Sequence, residues 1–175
     1  MTSGPFCAAD LEIGGNLGRL GVRPLVPEAC AEIARAIVAM PPWSVMGTSA
    51  EAMTRYLAAE ADGANRYVID VGGTPAGAAS VRHPWLKGPY LELLALFPAH
   101  QGQGIGAAIL RWFEDEARRH EARNLWACAS RFNTRALSFY RRHGFAEAAV
   151  LPELVADGFD EILLRKFPIG AVGDS

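Results

Sequence analysis

An almost unbroken apolar run, Tyr90-Leu91-Glu92-Leu93-Leu94-Ala95-Leu96-Phe97, passes into a loop with glycine at 102, 104 and 106, and that loop opens directly into the amphipathic stretch from Ile105 to His120. Few folds accommodate this sequence. A strand apolar along both faces belongs at the centre of a sheet covered on both sides. Ile105, Ala108, Ile109, Trp112 and Phe113 recur at helical spacing, so the segment after the glycines is a helix with one buried stripe. The unit is strand, tight loop, helix, and the chain around it must supply the rest of a layered α/β domain.

The flanking segments meet that requirement. LGRLGVRPL predicts a short strand ended by prolines; PEACAEIARAIVAM and EAMTRYLAAEAD predict two helices, the second capped by Thr48 or Ser49. RYVIDV and PAGAASVR read as two strands joined at Gly72-Gly73, a pair suited to the positive φ angles of a hairpin. Beyond the central unit, LWACA is a strand, TRALSFYRRH a helix, and GFAEAAV and FDEILLRKF a closing pair of strands. This order predicts a mixed, predominantly antiparallel sheet flanked by helices. We expect residues 1–16 to form a loose N-terminal arm, 17–168 a single domain, and 169–175 a C-terminal tail.

Charge and cysteine usage narrow the function. The chain has 17 Lys plus Arg against 19 Asp plus Glu, a formal net charge of -2, which disfavours nucleic acid as a partner. The cationic surplus is confined to residues 100–143, where 8 basic residues face 4 acidic ones, and suits a small anionic ligand. Cys7, Cys30 and Cys128 show no paired spacing, and His83, His100, His120 and His143 stand apart, so no metal site is expected. No apolar run is long enough for a bilayer, and Asp10 and Glu12 fall where a signal peptide needs an apolar core. The expectation is a cytoplasmic protein without membrane contact.

The glycine loop has the physics of a phosphate cradle. Glycines let backbone N–H groups converge, and the helix start adds unpaired N–H groups at the positive end of its dipole. The loop lacks Gly-Lys-Ser/Thr, and its spacing is GxGxG rather than GxGxxG, which excludes two common nucleotide-binding loops. The alternative use of such glycines is close packing between strand and helix.

Gln101-x-x-Gly104-x-Gly106 after an apolar strand resembles the first signature of the GCN5-related N-acetyltransferases (GNAT). Asn133-x-x-Ala136-x-x-Phe139-Tyr140-x-x-x-Gly144-Phe145 resembles the second. The element order from Leu17 to Phe167 is similar as well. The resemblance implies the acyl-CoA N-acyltransferase fold and acetyl-CoA as cosubstrate. The pyrophosphate would lie on backbone amides of Gln101, Gly102, Gln103, Gly104, Ile105 and Gly106. It also implies that the strand carrying Leu94 and Leu96 diverges from the strand around Leu125 to Ala129. The pantetheine arm would enter that gap, with Asn133 lining it and a homodimer as the assembly compatible with the family.

The candidate reacting groups follow. By strand alternation Tyr90, Glu92, Leu94 and Leu96 share a face. A carboxylate there is a general base for the acceptor amine, a recognition group for a cation, or half of an ion pair with an arginine. His83 and Asp70 are weaker candidates for the base, with a hairpin cap as the alternative for Asp70. Asn133 has helix capping as its alternative role, and Arg131 and Arg135 are candidates for CoA phosphates. Trp43, Met46, Trp85 and Tyr90 are candidates to wall the acceptor cleft. Tyr140, where the family signature has a tyrosine, suits the proton donor to the departing thiolate, with core packing as its alternative. Cys128 reads as a small buried hydrophobe, so direct attack by the amine in a ternary complex is preferred to a covalent enzyme intermediate. The acceptor is then a small-molecule amine or a peptide N-terminus. The alternative class is a non-catalytic acetyl-CoA or acyl-CoA binding or sensing module with the same fold.

Overall fold

The computed structural model describes residues 6–13 and 18–170. In chain order the elements are β1 (Ala9–Leu11), β2 (Leu20–Pro24), α1 (Pro27–Val38), α2 (Ala50–Ala58), β3 (Ala64–Val71), β4 (Thr74–Trp85), β5 (Gly88–Leu96), α3 (Ile105–Arg119), β6 (Leu125–Ser130), α4 (Thr134–Arg142), β7 (Ala146–Ala156) and β8 (Phe159–Lys166). The eight strands form one sheet in the order β1-β2-β3-β4-β5-β6-β8-β7. Every neighbouring pair is antiparallel except β5 and β6, which run parallel. The mixed α/β architecture expected from the sequence is therefore the one observed.

Each face of the sheet has its own core. On one face, Ile105, Ile109, Trp112 and Phe113 of α3 and Leu137 and Tyr140 of α4 pack on Leu20, Val22, Ile69, Val81, Leu91, Leu125 and Leu164. On the other, Cys30, Ile33 and Ile37 of α1 and Met53 and Leu57 of α2 pack on Ala78, Leu93 and Ala95. The two-sided covering explains why β5 is apolar along its whole length. Local chemistry agrees with the sequence: Ser49 caps α2 by accepting from Ala52 N at 3.1 Å, and Gly72 and Gly73 take φ of 59° and 84° in the β3–β4 hairpin.

Both ends of the chain differ from expectation. Residues 1–5 and 14–16 of the expected arm lie outside the described residues, but Phe6 to Ile13 is docked rather than loose. Phe6 is 3% exposed, β1 pairs with β2, and the Glu116 carboxylate accepts from Phe6 N at 2.9 Å and Cys7 N at 3.4 Å. The Tyr67 hydroxyl donates to the Phe6 carbonyl. The anchoring groups lie far along the chain, where local periodicity carries no trace of them. Of the expected C-terminal tail, 171–175 lie outside the described residues, while Ile169 is buried in the α3 core and donates its N–H to Arg123 O at 3.2 Å.

A register shift sets the site. β4 and β5 pair as Ser80↔Leu93 and then Val81↔Leu91, which leaves Glu92 as an extra residue on β5. Such a bulge reverses the alternation. Glu92 consequently faces the α1–α2 side with Leu93 and Ala95, while Leu94 and Leu96 turn to the α3 side. The shared face expected from strict alternation is corrected by this one inserted residue.

Candidate active site

β5 and β6 meet only at Tyr90↔Trp126 and Leu91↔Ala127. Beyond this point β5 continues to Leu96 on its pairing with β4, and β6 continues to Ser130 on its pairing with β8. The inner edges from Glu92 to Leu96 and from Cys128 to Ser130 therefore splay into a slot. Bare strand edges at the middle of a sheet are costly unless a ligand with its own amides completes them.

The glycine loop closes one end of the slot. Gly102 and Gly104 have φ of 74° and 81°, and Gly104 is the N-cap of α3 with no side-chain hydrogen bond capping the helix. Gly106 has a different role: a Cβ there would stand 3.2 Å from the Phe139 ring, so this glycine lets α3 and α4 approach. The Gln101 N–H is bonded to Pro98 O at 3.3 Å, whereas among the described residues the N–H groups of Gly102, Gln103, Gly104, Ile105, Gly106 and Ala107 have no acceptor. Six consecutive unpaired donors at a helix start form a concave anion site. The Gln101 side chain is a brace: its Nε2 donates to Leu96 O at 2.8 Å and its Oε1 accepts from Arg135 at 2.8 Å.

Tyr140 comes from α4 and packs in the core that holds Ala127 and Ala129 of β6. It is 5% exposed, its ring meets Phe139 and Phe145 edge to face, and its hydroxyl has no hydrogen-bond partner among the described residues. Burial raises its pKa, with the Cys128 thiol adding to the effect. Cys128 itself is pushed up to about 11 by burial, with Glu161 contributing, and it also interacts with the Tyr90 hydroxyl. Cys128 thus lies beside Tyr90 in the splayed stretch of β6, and burial keeps its thiol protonated at neutral pH.

Two carboxylates occupy the α1–α2 face. Glu92 accepts from Arg82 Nε at 2.5 Å, from Ser80 Oγ at 3.2 Å and from the Tyr56 hydroxyl at 3.3 Å, so the ion-pair alternative describes its contacts. Burial pushes Tyr56 up to about 12. Glu161, which sequence reading missed, is 4% exposed on β8 and accepts from Ser130 Oγ at 2.6 Å. Burial raises its pKa and the Ser130 bond partly offsets the rise. An acidic residue in FDEILLRKF resembles a solvated strand position, and only the pairing Ser130↔Glu161 carries it to the slot.

The remaining candidates divide. Trp85 stacks on Tyr90 with centroids 4.6 Å apart, and Trp126 meets Trp85 edge-on. Met46 lies 3.7 Å from Ser130 Oγ, and Trp43 packs on the α1–α2 core. His83 is on the opposite side, near Phe6 and His120, where burial lowers its pKa, so it is not beside Glu92 or Tyr90. Asp70 accepts from Gly73 N at 3.0 Å as the hairpin cap. Asn133 Oδ1 caps α4 through Ala136 N at 3.1 Å, and Arg131 pairs with Asp160 at 3.4 Å. No helix among the described residues is long and apolar enough to cross a membrane, and among them no cluster of metal-ligating side chains occurs.

Residues 30–145 match the acetyltransferase (GNAT) family. Streptothricin acetyltransferase of Streptomyces lavendulae is 34% identical over 88 residues, covering 50% of this chain and 47% of the relative. The match thus spans about half the length of that curated relative. Among solved structures, nourseothricin acetyltransferase superposes with a TM-score of 0.56 at 25% identity, over 62% of this chain and 67% of the other. An acetyltransferase from Thermus thermophilus has the same fold, with a TM-score of 0.67 at 19% identity over 85% and 96% of the two chains.

Proposed function

Because this chain belongs to the GNAT family of acetyltransferases, we propose that it transfers the acetyl group of acetyl-CoA to a primary amine by direct attack in a ternary complex. The observation that carries the reading is the slot between β5 and β6, with six amides at one end that are unpaired among the described residues, Cys128 on the β6 edge and Tyr140 in the adjoining core. These features fit acetyl-CoA. The amides from Gly102 to Ala107 suit the pyrophosphate, and the bare β5 edge at Leu94 and Leu96 suits the amides of the pantetheine arm. When bound, the cosubstrate supplies a thioester carbonyl for attack.

The chain's own groups then have distinct tasks. A backbone N–H of the splayed β5 edge stabilises the developing oxyanion. The Tyr140 hydroxyl, unengaged by the protein, gives its proton to the departing sulfur. Asn133 fixes the start of α4, and thereby the approach of Tyr140, and Gln101 fixes the glycine loop. Glu92, with Arg82, Ser80 and Tyr56, shapes the acceptor side, which is walled by Tyr90, Trp85 and Trp126.

The acceptor we favour is a small cationic amine, and streptothricin is the first to try, since a relative carries that name. The test is a panel of streptothricin, simple polyamines and amino-terminal peptides with acetyl-CoA, read by free thiol and by mass of the product. Amine-dependent thiol release is the expected result. Acetyl-CoA binding with no transfer to any amine would favour a sensing module instead. The exposed outer edge of β7 offers an edge for a second copy, and light scattering at a dimer mass is the corresponding check.

A further inference from the structure

We propose that Glu161, held by Ser130, is the group that takes the proton from the acceptor ammonium, and that Glu92 is not. The proposal rests on the acetyl-transfer reading. Both carboxylates lie on the α1–α2 face, and their surroundings differ. Glu92 is committed to a guanidinium, a phenol and a hydroxyl, so protonating it would break an ion pair and disturb two hydrogen bonds. Glu161 has no cation within ion-pair distance among the described residues. Among the described residues its one hydrogen bond comes from Ser130, at 2.6 Å, and its second oxygen is left for another donor.

Position supports the assignment. Ser130 ends β6 inside the splayed stretch, and alternation puts it on the same face as Cys128 and Trp126. Ser130 of β6 bonds Glu161 directly and Cys128 of β6 is within electrostatic reach of it; Tyr90 from β5 contacts Cys128, and Met46 from the loop before α2 contacts Ser130. Leu151 is its strand partner on β7, and the Arg131–Asp160 ion pair flanks it in sequence. None of these is a free cation. A buried carboxylate without one attracts an ammonium and still accepts its proton, because burial disfavours the charged carboxylate relative to the neutral acid. Tyr140 packs in the α3–α4 core with Ile162 and Leu164, whereas Glu161 alternates with those residues along β8, so the proton donor and the proton acceptor lie on opposite faces of the sheet.

The protons balance. The ammonium gives one proton to Glu161, which later releases it to water. The free amine forms the N–C bond and the C–S bond breaks. Sulfur receives the Tyr140 proton, and the proton remaining on nitrogen beyond the amide N–H returns to the tyrosinate through water.

The test uses the full chain with acetyl-CoA and the fastest acceptor of the panel. Glu161→Gln keeps an oxygen for Ser130 and removes the base. We expect kcat to fall about 100- to 1000-fold, with loss of the acidic limb of the pH–rate profile and unchanged acetyl-CoA affinity by calorimetry. Ser130→Ala removes a bond that favours the ionised form, so its acidic limb should move to higher pH with a smaller loss of kcat. An acceptor of low amine pKa, already neutral at the assay pH, should recover most of the Glu161→Gln rate. Glu161→Gln with a wild-type acidic limb, or Glu92→Gln without one, would overturn the assignment. Wild-type protein that binds acetyl-CoA and acetylates no amine would overturn the underlying reading instead.

Discussion

Arg135, in the first turn of α4, donates to the side-chain oxygen of Gln101 at 2.8 Å. Gln101 in turn holds the Leu96 carbonyl, so the end of β5, the glycine loop and α4 are locked as one body. Gln101→Ala should weaken acetyl-CoA binding about tenfold, a loss of about 1.4 kcal/mol. Arg135→Ala, which cuts only the outer bond, should cost less. Titration calorimetry would show it, and equal affinity in Gln101→Ala and wild type would remove the brace from the binding argument.

Gly104→Asp should abolish acetyl-CoA binding in a folded protein. The residue has φ 81° at the helix N-cap, where a carboxylate would face the proposed pyrophosphate position. Gly106→Val should fail for another reason, since its side chain meets Phe139 and pushes α4 away. Circular dichroism alongside calorimetry distinguishes loss of the site from loss of the fold.

Tyr140→Phe keeps the aromatic contacts with Phe139 and Phe145 and removes the hydroxyl. A fall in kcat of roughly 10- to 100-fold is expected, because water substitutes in part for a positioned acid. A normal kcat, with chemistry shown to limit the rate, would leave Tyr140 a packing residue.

The two carboxylates should have opposite effects on stability. Glu92→Gln strands a half-buried Arg82, and a loss of about 1–3 kcal/mol is expected in urea unfolding. Glu161 has a folded pKa raised above its unfolded value, so the folded chain binds more protons, and stability is full at low pH and lost as pH rises through the glutamate range. Glu161→Gln should therefore be more stable than wild type at pH 8, with the gap closing toward about pH 4. A gap that widens on acidification would reverse the sign of the burial effect.

Phe6→Ala should cost about 3–5 kcal/mol, because the ring packs on Trp112, Phe113 and His83. Glu116→Ala should cost less, through loss of its bonds to the Phe6 and Cys7 amides and of its ion pair with Arg119. Denaturant midpoints rank the two.

Much of this molecule is legible in its sequence because much of it is locally determined. The strand, glycine loop and helix from Tyr90 to His120 follow from periodicity, and the hairpin at Gly72-Gly73 and the cap at Ser49 follow from turn chemistry. What stays hidden is set by pairing between distant strands. One inserted residue at Glu92 turns Leu94 and Leu96 to the other face, a shift that no reading of YLELLALF alone contains. Glu161 reaches the slot through its pairing with Ser130, and Phe6 enters the core through Glu116, Tyr67 and the rings of α3.

The bond from Glu116 to Phe6 spans 110 positions. A ribosome adding about 5–20 residues per second makes Phe6 on the order of 5–20 s before Glu116 exists. Trp112 and Phe113, rings that Phe6 packs against, are also missing for all but the last few residues of that interval. During synthesis Phe6 therefore lacks most of its pocket until α3 is made. Completion of α3, rather than completion of the sheet, is what supplies it.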